Sequence, residues 1–195
     1  GEKSMYKFVR AISLFYIYVF NRVKVTGKEN IPTDGALIIC ANHHSVFDIL
    51  LLLTVFKRRI IFMAKQELFK IPVMSFFLKR LNAISVDRSG MPISAVRGAL
   101  KALKNGEQLG IFPEGTRYNS GDGSDARGGV AMFSYKCKAP IVPIHLVYKR
   151  NVNFFNRYEI RIGKPISPEE LGIEKGSSEE YTQAGEHIMG TVYGL

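Results

Sequence analysis

Apolar residues fall along this chain in short runs separated by polar turns. Ala36-Leu37-Ile38-Ile39-Cys40 has no polar interruption and predicts a buried strand; Ile49-Leu50-Leu51-Leu52-Leu53 predicts a buried helix. Further strands are predicted at Ile60-Ile61-Phe62-Met63, at Ala83 to Val86, at Leu109-Gly110-Ile111-Phe112, at Pro140 to Tyr148 and at Tyr158 to Ile162. Pro92 to Lys104 reads as a helix with Pro near its start, Ile93, Val96, Leu100 and Leu103 on one face, and Gly106 past its end. Tyr118 to Gly129 reads as a polar, Gly-rich loop, and Val130 to Lys138 as a helix. Ser177 with Glu180 caps a last amphipathic helix. Strands alternating with helices predict an α/β fold: a largely parallel central sheet flanked by helices and buried on both faces.

Tyr6 to Phe20 is nearly all apolar, with Phe8, Ile12, Phe15 and Val19 on one helix face and Leu14 and Ile17 opposite. Lys7, Arg10, Arg22 and Lys24 place positive charge along and beside it. A spanning helix needs about 20 apolar residues, and this run is shorter. The expectation is a membrane-associating helical segment over 1–28, lying in or dipping into a membrane face; a buried core helix is the competing reading. Gly1 to Ser4, ahead of Met5, read as an expression scar. Residues 29–195 are then the α/β domain, entered through a turn-rich stretch from Thr26 to Gly35. Lys65 to Leu81 mixes large apolar residues with basic ones, which suits either a lipid-facing surface or a helical hairpin kinked at Pro72.

The 195 residues include 27 Lys and Arg against 17 acidic residues, a net charge of +10. That excess points to an anionic partner such as a membrane surface, an acidic protein, a phosphorylated substrate or nucleic acid. Two cysteines, Cys40 and Cys137, in apolar surroundings read as core residues rather than a disulfide framework.

The densest chemistry lies in Asn42-His43-His44-Ser45-Val46-Phe47-Asp48, between the first core strand and the first core helix. Ser45 and Asp48 have capping-box spacing, placing Ser45 at the N-cap and Asp48 in the first turn. His43 then lies just ahead of the helix. Asp48, held ionised by the positive helix end, can accept a proton from one ring nitrogen of His43, leaving the other to take a proton from a hydroxyl. A base steered by a carboxylate is two-thirds of a catalytic triad, without a protein nucleophile. The plainer alternative is a structural His–Asp pair with Ser45 as a cap alone. Two more polar groups follow strands at the same predicted edge, Arg88 and the Glu114-Gly115-Thr116-Arg117 stretch, and in open α/β sheets that edge is where working residues gather.

Taken together these segments resemble the glycerolipid acyltransferase family, in particular the 1-acyl-glycerol-3-phosphate acyltransferases. The family's N-H-x-S-x-x-D motif stands as Asn42, His43, Ser45 and Asp48. The second, close to G-x-I-x-V-D-R, stands as Ile84, Val86, Asp87 and Arg88, with Asn82 at the glycine position. F-P-E-G-T-R-S stands as Phe112 to Arg117 with Tyr118 for serine, and the V-P-hydrophobic strand as Val142-Pro143-Ile144. The resemblance implies transfer of a fatty acyl group from a thioester, on coenzyme A or an acidic acyl-carrier protein, to the sn-2 hydroxyl of 1-acyl-sn-glycerol 3-phosphate, giving phosphatidic acid. His43 would be the general base and Asp48 its orienter. Arg88 and Arg117 would hold the acceptor phosphate, with Gly115 allowing close backbone approach and Thr116 donating a hydrogen bond. Glu114 would hold an arginine or take a glycerol hydroxyl. Backbone amides near Lys65 are candidates for the oxyanion donors. A thioester is already activated, so no acyl-enzyme is needed, matching the lack of a G-x-S-x-G elbow. No cofactor is expected beyond the co-substrate. The setting implied is membrane-associated, at the cytoplasmic face of the cell membrane.

Other acceptors, glycerol 3-phosphate or another lysolipid, fit the same motifs. A thioesterase or lipase, or a non-enzymatic basic protein binding anionic lipid, are competing functions, but the second leaves the His–Asp turn unexplained. Nucleic acid is disfavoured, since no RNA-binding signature or basic helix run appears. Gly121-Asp122-Gly123 lacks the third glycine of a dinucleotide fingerprint. Cys40, His43 and His44 have no second ligand pair at metal spacing. His145 and His187 read as structural.

Overall fold

The computed structural model describes residues 2–45, 47–86, 93–113, 124–149 and 155–195. Its centre is a seven-stranded sheet: β1 (Arg22–Thr26), β2 (Leu37–Ala41), β3 (Ile60–Lys65), β4 (Ile84–Val86), β5 (Gln108–Ile111), β6 (Ile141–Tyr148) and β7 (Arg157–Ile162). The strands lie in the order β1-β7-β6-β2-β5-β3-β4. All neighbours are parallel except β6 and β7, which run antiparallel. The largely parallel sheet flanked by helices is thus as expected.

Among the described residues six α-helices cover it: α1 (Glu2–Phe20), α2 (Phe47–Val55), α3 (Pro72–Arg80), α4 (Ile93–Lys104), α5 (Ser124–Cys137) and α6 (Ser178–Tyr193). One apolar layer joins α1 and α2 to Leu37, Ile39, Val142, Ile144 and Ile160. The other joins α4, α5 and α6 to Ile38, Cys40, Leu109 and Ile141. Alternate residues of β2 thus feed opposite layers, and all five of its residues are buried. Ser177 accepts from the Glu180 amide while Glu180 accepts from the Ser177 amide, the capping box that starts α6.

Three readings are corrected. Residues 22–26, inside the stretch taken as an N-terminal helical segment, form β1, paired in register with β7. Its Val23 and Val25 turn inward and its Arg22, Lys24 and Thr26 outward, the alternation of a half-buried edge strand. Residues 124–129, read as loop, begin α5. Their glycines mark a close helix contact instead: a Cβ on Gly128 would meet the Tyr181 backbone carbon at 3.4 Å, and one on Gly185 of α6 the Arg127 carbonyl at 2.5 Å. Pro72 does not kink a hairpin; it occupies the first turn of α3, where its missing N–H costs nothing.

Asn82 sits where the resemblance calls for glycine, and its backbone explains the exchange. Its φ is 52°, in the left-handed region. The Asn82 amide donates to the Lys79 carbonyl at 3.1 Å and the Ala83 amide to the Leu78 carbonyl at 2.9 Å, the two bonds of a Schellman ending for α3. Asparagine is the residue that best tolerates this conformation after glycine. Asn82→Gly should therefore leave stability unchanged, whereas Asn82→Val should lose about 1–2 kcal/mol, read by urea unfolding; equal stabilities would show that the turn is not under this constraint.

Candidate active site

β2 is central, and the connections on its two sides diverge. The chain leaves β2 for α2 in one apolar layer and leaves the neighbouring β5 for α5 in the other. Where helices leave neighbouring strands toward opposite faces, the place beyond the carboxyl ends of those strands, here β2 and β5, is the usual one for a ligand in an open α/β sheet. His43 follows β2 and Phe112 follows β5 there, and their rings stack with centroids 4.4 Å apart. Phe62 stacks on Phe112 in turn, at 6.2 Å. Gly110 makes room for this: Phe62 is its register partner, and a Cβ there would lie 2.6 Å from the Phe62 ring.

His43 Nδ1 lies 2.8 Å from Asp48 Oδ2. Ionised Asp48 can only accept, so Nδ1 carries the proton and Nε2 of the neutral ring is left as the basic atom. Two further donors converge on Oδ2, the amides of His44 at 2.6 Å and Ser45 at 2.9 Å. The Tyr148 hydroxyl donates to Oδ1. The Asp48 side chain is fully buried, while that of His43 is 34% exposed: the carboxylate is sealed in and the imidazole is partly open. Burial pushes the Asp48 carboxyl up, but hydrogen bonds from His43, Tyr148, Ser45 and His44 outweigh it and hold the group below the usual carboxylate range.

Asp48 lies in the first turn of α2, as the spacing predicts. The Phe47 amide donates to Ser45 Oγ at 3.2 Å, and Asp48 Oδ2 accepts from the Ser45 amide at 2.9 Å. Asn42 has a different task. Its amide donates to the Leu146 carbonyl at 3.0 Å and accepts from the Leu146 amide at 2.7 Å, so the side chain extends the β2–β6 ladder beyond Ala41. It also donates to His44 Nε2 at 2.9 Å.

Comparison with known proteins bears on this arrangement. The family model described as Acyltransferase matches residues 22–147. The chain belongs to the acyltransferase family. It is 38% identical over 140 residues to the 1-acyl-sn-glycerol-3-phosphate acyltransferase of Bacillus subtilis (strain 168), spanning 71% of this chain and 69% of that one. To the Borreliella burgdorferi protein of the same name it is 35% identical over 136 residues, 69% of this chain but 54% of that one. The crystal structure of the 1-acyl-sn-glycerophosphate acyltransferase PlsC from Thermotoga maritima superposes with a TM-score of 0.73 at 30% identity, covering 100% of this chain and 80% of that one.

In this acyltransferase, Lys65 ends β3 and so lies at the same sheet edge as His43. Arg88 and Glu114, Gly115, Thr116 and Arg117 lie outside the described residues; the strands that lead to them, β4 and β5, end at that edge. His145 stacks edge-on against Tyr193 at 5.6 Å, away from the dyad's contacts. Cys40 and Cys137 are free thiols, Cys40 buried and Cys137 half-buried. Tyr148 went unnoticed in the sequence because it lies 100 residues from Asp48 and ends an ordinary apolar strand.

A depressed carboxyl sets a pH dependence. Asp48 contributes stability that is fully present above the ordinary carboxylate pKa of about 4 and is lost as pH falls through its lower folded value. The melting temperature should therefore drop as pH falls below about 4. The Asp48→Asn variant should be less stable at neutral pH and show a shallower slope in that acid window; parallel slopes would exclude Asp48 as a source of acid lability.

Proposed function

We propose that this chain transfers a fatty acyl group from an acyl thioester to the sn-2 hydroxyl of 1-acyl-sn-glycerol 3-phosphate, giving phosphatidic acid. The observation that carries the reading is the His43–Asp48 contact beyond the carboxyl end of β2. His43 Nε2 takes the hydroxyl proton as the alcohol oxygen attacks the thioester carbonyl. Asp48 holds the imidazole in the required tautomer and balances the imidazolium that forms. The thiolate of the donor then leaves with that proton, so no acyl-enzyme intervenes and no cofactor is consumed. Arg88 and Arg117 would anchor the acceptor phosphate, Gly115 and Thr116 would line it, and Glu114 would hold an arginine. Backbone amides beside Lys65 would receive the oxyanion. The donor is acyl-coenzyme A or an acidic acyl-carrier protein, either of which suits a chain of net charge +10.

The reading also places the protein on a membrane, at its cytoplasmic face, through α1. No helix among the described residues is long and apolar enough to cross a membrane. One face of α1 belongs to the core: Tyr6, Val9, Ser13 and Ile17 are buried. Arg10, grouped in the sequence with the flanking charge, instead points inward, its Nε donating to the Leu53 and Phe56 carbonyls at 3.0 and 3.3 Å and so capping the end of α2. The other face exposes Phe8, Ile12, Phe15, Tyr18 and Val19, with Phe15 64% exposed. Ile71, Phe76 and Phe77, at and within the adjoining α3, are exposed too. Such a helix, docked on one side and apolar on the other, is built to lie in an interface.

Product analysis with a labelled acyl thioester tests the activity, with lysophosphatidic acid and glycerol 3-phosphate as alternative acceptors. Labelled phosphatidic acid is expected; free fatty acid alone, or no product, would overturn the reading. His43→Ala should lower turnover by about 10²–10⁴-fold with an unchanged circular dichroism spectrum; retained turnover would remove His43 as the base. For the membrane face, Phe8→Ser and Phe15→Ser should each weaken partition onto anionic vesicles by about tenfold or more. Unchanged partition would remove α1 as the contact.

A further inference from the structure

The Asp48 carboxylate has two oxygens, and they are held from opposite sides. Oδ2 takes His43 and the two loop amides. Oδ1 meets a single donor among the described residues, the Tyr148 hydroxyl at the end of β6. We infer that Tyr148 is a positioning residue for the catalytic base: its hydroxyl clamps Oδ1 so that Oδ2 stays on His43 Nδ1, and it tunes how strongly the carboxylate draws the imidazolium. The inference rests on the general-base reading above.

The direction of every proton in this network is determined. Ionised Asp48 has none to give, so Tyr148 donates to it. The single phenolic proton is then used, and the Tyr148 oxygen can only accept from Ser45 Oγ, 3.2 Å away. Ser45 Oγ accepts in turn from the Phe47 amide. Ser45 is therefore more than a helix cap, since its hydroxyl proton holds Tyr148 in orientation. The ring is gripped as well, edge-on to Tyr158 of β7 at 4.9 Å and tilted against His44 at 5.0 Å. Burial first, then the adjacent Asp48 charge, push the phenol well above its ordinary range, so it stays protonated. The titratable groups around the carboxylate are His43 and His44 from the loop, Tyr148 from β6 and Tyr158 from β7, with Tyr16 of α1 beyond Tyr158.

Removing the hydroxyl leaves Oδ1 buried without its donor. The negative charge is then shared among fewer donors, and His43 holds a proton more tightly.

Tyr148→Phe keeps the ring contacts and deletes only the hydroxyl. In this variant kcat should fall by about tenfold, with acceptor KM within about twofold of the parent. The acidic limb of its kcat/KM profile, and the His43 midpoint in an imidazole NMR titration of the ligand-free protein, should both move up by about half a pH unit or more. Tyr158→Phe, which deletes a neighbouring hydroxyl that does not bond Asp48, should leave both at the parent value. A folded Tyr148→Phe protein with the parent's profile and titration overturns the inference. Should that variant not fold, the parent decides: a slowly exchanging phenolic proton on Tyr148 is expected in its NMR spectrum, and a freely exchanging one overturns the clamp. The titration needs no turnover, so it separates the two readings. A shifted titration in a protein without transferase activity leaves the clamp standing and removes the function. An unshifted titration in an active enzyme does the reverse.

Discussion

A carboxylate with no exposure to water is held at the centre of this protein's working edge. Stripped of its partners, buried Asp48 would cost several kcal/mol. Four donors offset that cost, and each comes from a place the fold must bring to it: an imidazole and two amides from the loop after β2, and a phenol from the end of β6. The carboxylate that holds the His43 ring therefore also fixes where the loop turns, where α2 starts and how β6 ends. The geometry of the His43–Asp48 pair and local stability are one network here.

The sheet order puts that network where a ligand can reach it. The helices after β2 and β5 leave on opposite faces, the arrangement that puts ligands beyond the strand ends in an open α/β sheet. At those strand ends stands His43, backed by the Phe112 and Phe62 rings. That aromatic stack needs the missing side chain of Gly110, so a residue with no chemistry of its own sets the seat of the base.

α1 shows a second division of labour. Tyr6 accepts from the Ile60 amide at 3.2 Å and Arg10 caps α2, polar contacts that fix the helix against the core at its buried face. On its outer face Phe8, Ile12, Phe15, Tyr18 and Val19 are exposed among the described residues.

Much of this was legible along the chain because it depends on short-range pattern. Uninterrupted apolar runs separated by turn residues predict a buried, mostly parallel sheet. The Ser45–Asp48 spacing predicts a helix start, and His43 beside it predicts the dyad, since residues five apart across a helix N-terminus have little choice but to meet. The α1 faces followed from helical period alone. What the chain could not disclose depends on contacts between distant residues. β1 joins the sheet only because β7 lies beside it. The glycines of α5 are helical because α6 packs too close for side chains. Arg10 leaves the surface because α2 ends with carbonyls in need of donors. Tyr148 becomes part of the site only when the β2–β6 pairing sets its hydroxyl against a carboxylate 100 residues away. Local spacing can propose a base and its partner; only the packed sheet decides what holds that partner still.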